Sequence, residues 1–238
     1  MSDAPKLIEW NRLLVEGVVI VASILLAFAI DASWESRLEQ QAEKGQLLSV
    51  LAELETNAER IQDKLDALYV AEAAAIEILS WTGPEPQPVT ETELTAAFTR
   101  MYSIGSFALL RGASNTYLSG AQSAAISHED VRKSIADWYE YGDELERQYS
   151  WLREVHASLG AYLADTVPML YFDASHPAMR GIRQSRFPMN HATMLADQRF
   201  ESRVSLYLIR IKFFQEQAAE LIDSHGELIA QIRDAVDD

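Results

Sequence analysis

A chain of 238 residues with a formal net charge of −16 is repelled by phosphate backbones, which argues against generic nucleic-acid binding. It has no cysteine, so disulfides, thiolate metal sites and thiol nucleophiles are excluded together. With 10 Gly and 7 Pro against many Ala, Leu, Glu and Gln, the composition favours helix.

Residues 1–12 read as a short tail, 13–34 as a transmembrane anchor and 35–238 as an extramembrane domain. Leu13 to Ile30 is broken only by Glu16. At about 1.5 Å per residue it spans roughly 27 Å, just enough for a hydrocarbon core. Trp10 and Trp34 flank it as interfacial aromatics do. Two other readings stay open. Ala27-Phe28-Ala29 has the small-x-small form of a signal-peptide cleavage site, and a buried helix of a soluble protein can be equally apolar. Helix formers run on through Trp34-Glu35-Ser36-Arg37-Leu38, which favours an uncleaved anchor.

On a helical projection Glu16, Ile20, Ser23, Ala27 and Asp31 share one arc, and Leu14, Val18, Val21, Leu25 and Phe28 lie opposite. Ser23 and Ala27 form a small-xxx-small pair that lets a second helix come close. Arg12 lies one turn before Glu16 and can pair with it. The simpler account of the two acids is that they sit at headgroup depth. Lys6 and Arg12 before the span balance Arg37 and Lys44 after it, so charge hardly orients the helix. The short tail and Glu35, Glu39 and Glu43 tilt the reading towards a bundle outside the cytoplasm.

The domain reads as an all-α, long-helix antiparallel bundle of three long helices and one or two short ones. Leu47, Leu51, Leu54, Ala58, Ile61, Leu65 and Leu68 repeat at alternating steps of 4 and 3, which predicts a seam on the continuation of the anchor helix. Trp81-Thr82-Gly83-Pro84 ends it. Thr90 with Glu93 is a capping box, opening a helix whose apolar face is Leu94, Ala97, Phe98 and Met101. SIGSFALLRG reads as a turn with an apolar hairpin or loop, and the next residues as a short helix ending near Gly120. Ser127, capped with Asp130, opens a long helix with the seam Val131, Ile135, Trp138, Gly142, Leu145, Tyr149, Leu152, His156, Leu159 and Leu163. A Pro-containing loop follows. A last helix runs from about Leu195 to Val236, with Tyr207, Ile211, Phe214, Ala218, Leu221, His225, Leu228 and Ile232 inward.

Three sets of residues invite a functional reading. The first is the membrane-helix face. The second is Arg180, Arg183 and Arg186, spaced to line one face of a helical turn within an acid-free stretch from Ala174 to Ala196. They suit an anion, a lipid headgroup or an acidic partner, or else pair with the bundle's own acids. The third is His156 and His225, at seam positions of two long helices. If they meet they can sense pH or hold a metal; otherwise they are two core histidines. No nucleophile elbow, Gly-rich phosphate loop or HExxH set occurs, so nothing specifies catalysis or a cofactor.

Leu26, Ala27, Asp31 and Trp34, followed by Glu53, Leu54 and Asn57 in a Glu-Leu-x-x-Asn element, and the later SGAQSAAISHEDVRKSIADWYEYGDEL, resemble a family of uncharacterised bacterial single-pass inner-membrane proteins. The resemblance implies a bacterial inner-membrane location and no assigned activity. The expected function is a non-enzymatic accessory or scaffold subunit that contacts membrane lipid and another transmembrane helix, of a complex or of itself. The alternative is an extracytoplasmic sensing module for a small anion or lipid headgroup.

Overall fold

A computed structural model describes residues 10–120, 128–169, 183, 185–188 and 190–237. Among these residues the chain is helical and has no strand, with six helices: α1 (Trp10–Trp81), α2 (Glu91–Tyr102), α3 (Gly112–Gly120), α4 (Glu129–Thr166), α5 (His191–Leu195) and α6 (Gln198–Asp237). α1 is one unbroken helix of 72 residues, about 108 Å long. Its upper half, from Leu47, packs in the bundle.

α1, the leg containing α2 and α3, α4 and α6 follow an up–down–up–down path. α1 rises, and α4 rises beside it. α6 descends against both, tied to α1 by Arg233 to Glu55 (3.0 Å) and by Lys212 to Glu72. The missing descending leg is composite. It consists of α2, then residues 103–111 without helix, then α3. Both short helices pack on α1, and α3 also touches α4.

The α2 capping box forms as its sequence predicts. The Thr90 side chain accepts from the Glu93 backbone, and the Glu93 carboxylate accepts from the Thr90 backbone. α1 stops at Trp81, and Gly83 follows with φ +147°, a value that L side chains rarely adopt. The last helix differs from expectation. It is interrupted at 196–197, where the Asp197 carboxylate accepts from the Arg199 backbone (2.8 Å) and restarts the chain as α6. α4 begins at Glu129 with His128 at its N-cap, and that side chain makes no capping bond. The Ser127 of the expected cap lies outside the described residues.

The inward positions expected of α6 are all buried, and so are those of α4 apart from the half-buried His156. In α1 the stripe is different. Leu47, Leu54, Ile61, Leu65 and Leu68 are buried, but Leu51 and Ala58 are half-buried. Val50, Asn57 and Lys64 lie in the core instead. Two polar side chains at core positions need partners there, and the broken leg supplies them.

Candidate functional site

Unwinding residues 103–111 leaves backbone groups without helical partners inside a bundle, where each unpaired group is costly. Side chains from both flanking helices replace the lost bonds. Along α1, Lys64 donates to the Ile104 carbonyl and Arg60 to Ala108 (3.1 Å). Asn57 donates to the Leu110 carbonyl (2.9 Å) and accepts from its N–H (2.7 Å), as a backbone strand would. From α4, Tyr149 donates to Gly105 (2.5 Å), and Glu146 accepts from Leu109 (2.7 Å) while pairing with Arg111 (2.9 Å).

Glu53 closes the clasp at its lower end. Its carboxylate accepts from the backbone N–H groups of Ala113 (2.8 Å) and Ser114 (3.1 Å), from the Ser114 hydroxyl and from Tyr139 (2.7 Å). It therefore caps α3 from a different helix, with its charge at the positive end of that helix. Burial pushes the Glu53 carboxyl up, but the bonds from Ser114, Tyr139 and Ala113 outweigh it and the net direction is down. Lys64 is buried above the Tyr149 ring (4.9 Å), and burial holds its ammonium below the ordinary lysine value.

Two glycines make the close approach possible. Gly105 has φ +60°, the left-handed conformation that turns the chain out of α2. At Gly142 a Cβ would lie 2.7 Å from the Leu109 side chain, so α4 can accept the extended segment against its surface. Sequence reading missed Glu53 and Lys64 as core groups because an apolar pattern skips polar positions. The available signal was the Glu-Leu-x-x-Asn element itself, whose Glu53 and Asn57 are the clasp and whose Leu54 is fully buried between them.

The two histidines do not meet. His156 packs on Tyr102 (4.4 Å between rings) and Tyr207 (5.9 Å), and His225 packs on Trp138 (5.6 Å). Tyr207 and His225 are both on α6, so the two histidine sites lie about 27 Å apart along it. The antiparallel register of α4 and α6 separates them, which removes a metal or paired proton site between them. Among the described residues no group of His, Asp and Glu is placed to hold a metal ion. Burial lowers both imidazoles. The Arg153 charge adds to the effect at His156, and the Glu55 charge opposes it at His225.

A folded-state value below the unfolded 6.5 means that the unfolded chain binds more protons under that pH. Stability is then full above that value and falls as the pH drops through it. Thermal unfolding between about pH 8 and about pH 5 should show the midpoint falling on acidification, with a shallower fall in a His156→Gln/His225→Gln variant. An unchanged slope would contradict the assignment.

Of the arginine set, the structure describes Arg183 and Arg186. Arg180 lies outside the described residues. Arg183 and Arg186 are exposed, and residues 183 and 185–188 are not helical, so the described part of the stretch has no helical face to share.

The residues expected to form a membrane-helix face lie on α1. Every residue from Glu16 to Ala42 is exposed, including Ile20, Ser23, Ala27 and Asp31. This part of α1 contains a window of mean hydropathy 2.1 with none of it buried, long and apolar enough to cross a membrane by length and composition. The Ser23 hydroxyl donates to the Val19 carbonyl (2.8 Å), one turn back. It is therefore satisfied within its own helix and presents a small surface rather than an open polar group. Glu16 has an interaction of its own.

Because α1 is continuous, this face has a fixed phase relative to the bundle. Ala27 and the buried Leu54 are separated by about 7.5 turns, so they point to opposite sides of the helix. No family model, no curated protein and no solved structure matches the chain.

Proposed function

We propose that this chain is a non-enzymatic, membrane-anchored scaffold or accessory subunit. Its anchor docks through Glu16, Ile20, Ser23, Ala27 and Asp31 onto another transmembrane helix. The placement that goes with this reading is a bacterial inner membrane, crossed once, with the bundle on the periplasmic side.

The observation that carries it is the phase of α1. Small and polar residues occupy the side of the anchor that points away from the bundle core, so a neighbouring helix can approach without meeting the bundle. A plain anchor surrounded by lipid gains nothing from such sidedness, since tails are as apolar as leucine. Above the anchor, α1 also exposes Leu48, Tyr69 and Val70, so contact can continue beyond the membrane. Purification from native membranes in gentle detergent should give a complex of fixed stoichiometry. Recovery of dispersed monomer alone would contradict the reading.

A further inference from the structure

α6 carries a second stripe beside its buried one. Arg203, Leu206, Arg210 and Phe213 follow one another at steps of 3, 4 and 3, the spacing by which one helix receives another. Leu206 and Phe213 are exposed, and so are Ile209 on the same side and Trp151 of α4, over which Arg210 lies. From 202 to 215 the sequence has no acid, in a protein of net charge −16.

The two arginines are held in place but carry no counter-charge. Arg203 lies over the Tyr162 ring at 5.6 Å and donates to the Ser158 carbonyl (3.4 Å) and hydroxyl. Arg210 lies over the Trp151 ring at 5.5 Å, and its buried Nε has no acceptor among the described residues. Neither makes an ion pair with another described residue, Glu154 one turn beyond Trp151 included, whereas Lys212 on the other side of α6 pairs with Glu72. Stacking on a ring fixes the plane of a guanidinium and leaves donors at its edge for a carboxylate. The arginines are seven residues apart, about 10.5 Å along the helix. Carboxylates one heptad apart on a second helix have the same spacing.

We propose that this stripe of α6 docks an acidic amphipathic helix of a partner protein. Two carboxylates of that helix meet Arg203 and Arg210, and its apolar edge covers Leu206, Ile209 and Phe213. A second copy joined face to face would instead bring four such arginines together with no carboxylate between them. A lipid surface is out of reach on the membrane reading of α1. The stripe lies beside Glu72, which Lys212 holds, and Glu72 is about 57 Å beyond Trp34 along the helix. The contact rests on the chain having a protein partner, as the proposed function does, but not on the anchor face.

The test places photo-crosslinking residues singly at positions 206, 209 and 213 of the full chain in intact cells. They should give an adduct with a different protein, and the crosslinked peptide should map to a helical segment with two carboxylates seven residues apart. Arg203→Gln/Arg210→Gln should cut the yield about tenfold, the order expected for two lost charge-assisted contacts. Lys212→Gln, on the other side of the helix, should leave the yield unchanged. Arg210→Glu should lose the adduct, and arginine in place of the mapped partner carboxylate should restore it. No protein adduct, an adduct with a second copy or with lipid, a mapped segment without such carboxylates, or an unchanged yield in the double variant would overturn the proposal. The mapping uses the chain with its own arginines, so it decides even where a variant fails to fold. Adducts from 206, 209 and 213 with none from 20, 23 and 27 keep this contact and remove the anchor face, and the reverse result removes this contact alone.

Discussion

Glu53→Ala should destabilise the folded chain by about 3 kcal/mol, because two backbone N–H groups of α3 and the Ser114 and Tyr139 hydroxyls lose their common acceptor. Tyr139 can turn wholly to the Leu110 carbonyl at 3.1 Å, which limits the damage on that side. Glu53→Gln keeps one carbonyl acceptor and should cost about half as much. Urea unfolding in detergent, followed by helical circular dichroism, reads both. A loss under about 1 kcal/mol for the alanine variant would mean that the clasp does not hold the broken leg. The pH dependence has its own sign. The Glu53 carboxyl is lowered from 4.5, so its contribution is present above that value and is lost as the pH falls through the folded-state value. This loss begins below 4.5 and that of the histidines below 6.5, so the two differ in onset.

The second large effect is on docking. Ala27→Trp fills the small side of the anchor and should reduce recovery of the partner by about tenfold or more, because close helix approach depends on small residues. Leu25→Trp places the same bulk on the opposite, lipid-facing side and should leave recovery near that of the unaltered chain. The two variants have similar apolarity, so a difference between them reports on the face and not on membrane insertion. Equal loss in both would contradict a sided contact.

The parts of the fold that could be read from sequence are those where one period runs unbroken. α4 and α6 keep apolar residues at steps of 4 and 3 throughout, and their inward positions follow directly. Thr90 with Glu93 marks the start of α2, and Gly83-Pro84 the end of α1, by local chemistry alone. The α1 seam was less legible, because its stripe passes through Asn57 and Lys64. Those residues are core only because residues 104–110 come to lie against them, and that contact joins positions about 40–53 apart in sequence. The composite second leg has the same cause. Gly105 and the aperiodic run after it signal a break, but not that the break is enclosed by two helices.

Of the candidate sites, the proposed anchor face could be laid out from sequence, since its residues lie on one helix with a known period. The histidine pair was not, because two seams of the same period can be aligned in many registers. Only packing chooses the one that places His156 against Tyr207 and His225 against Trp138.

The central claim is that one side of the anchor touches a protein and the other touches lipid. Photo-crosslinking residues placed singly at positions 20, 23 and 27, and at 18, 21 and 25, test it in native membranes. The sided anchor predicts one discrete protein adduct from 20, 23 and 27 and none from 18, 21 and 25. Similar yields from both sets, or adducts to lipid alone from every position, would contradict it.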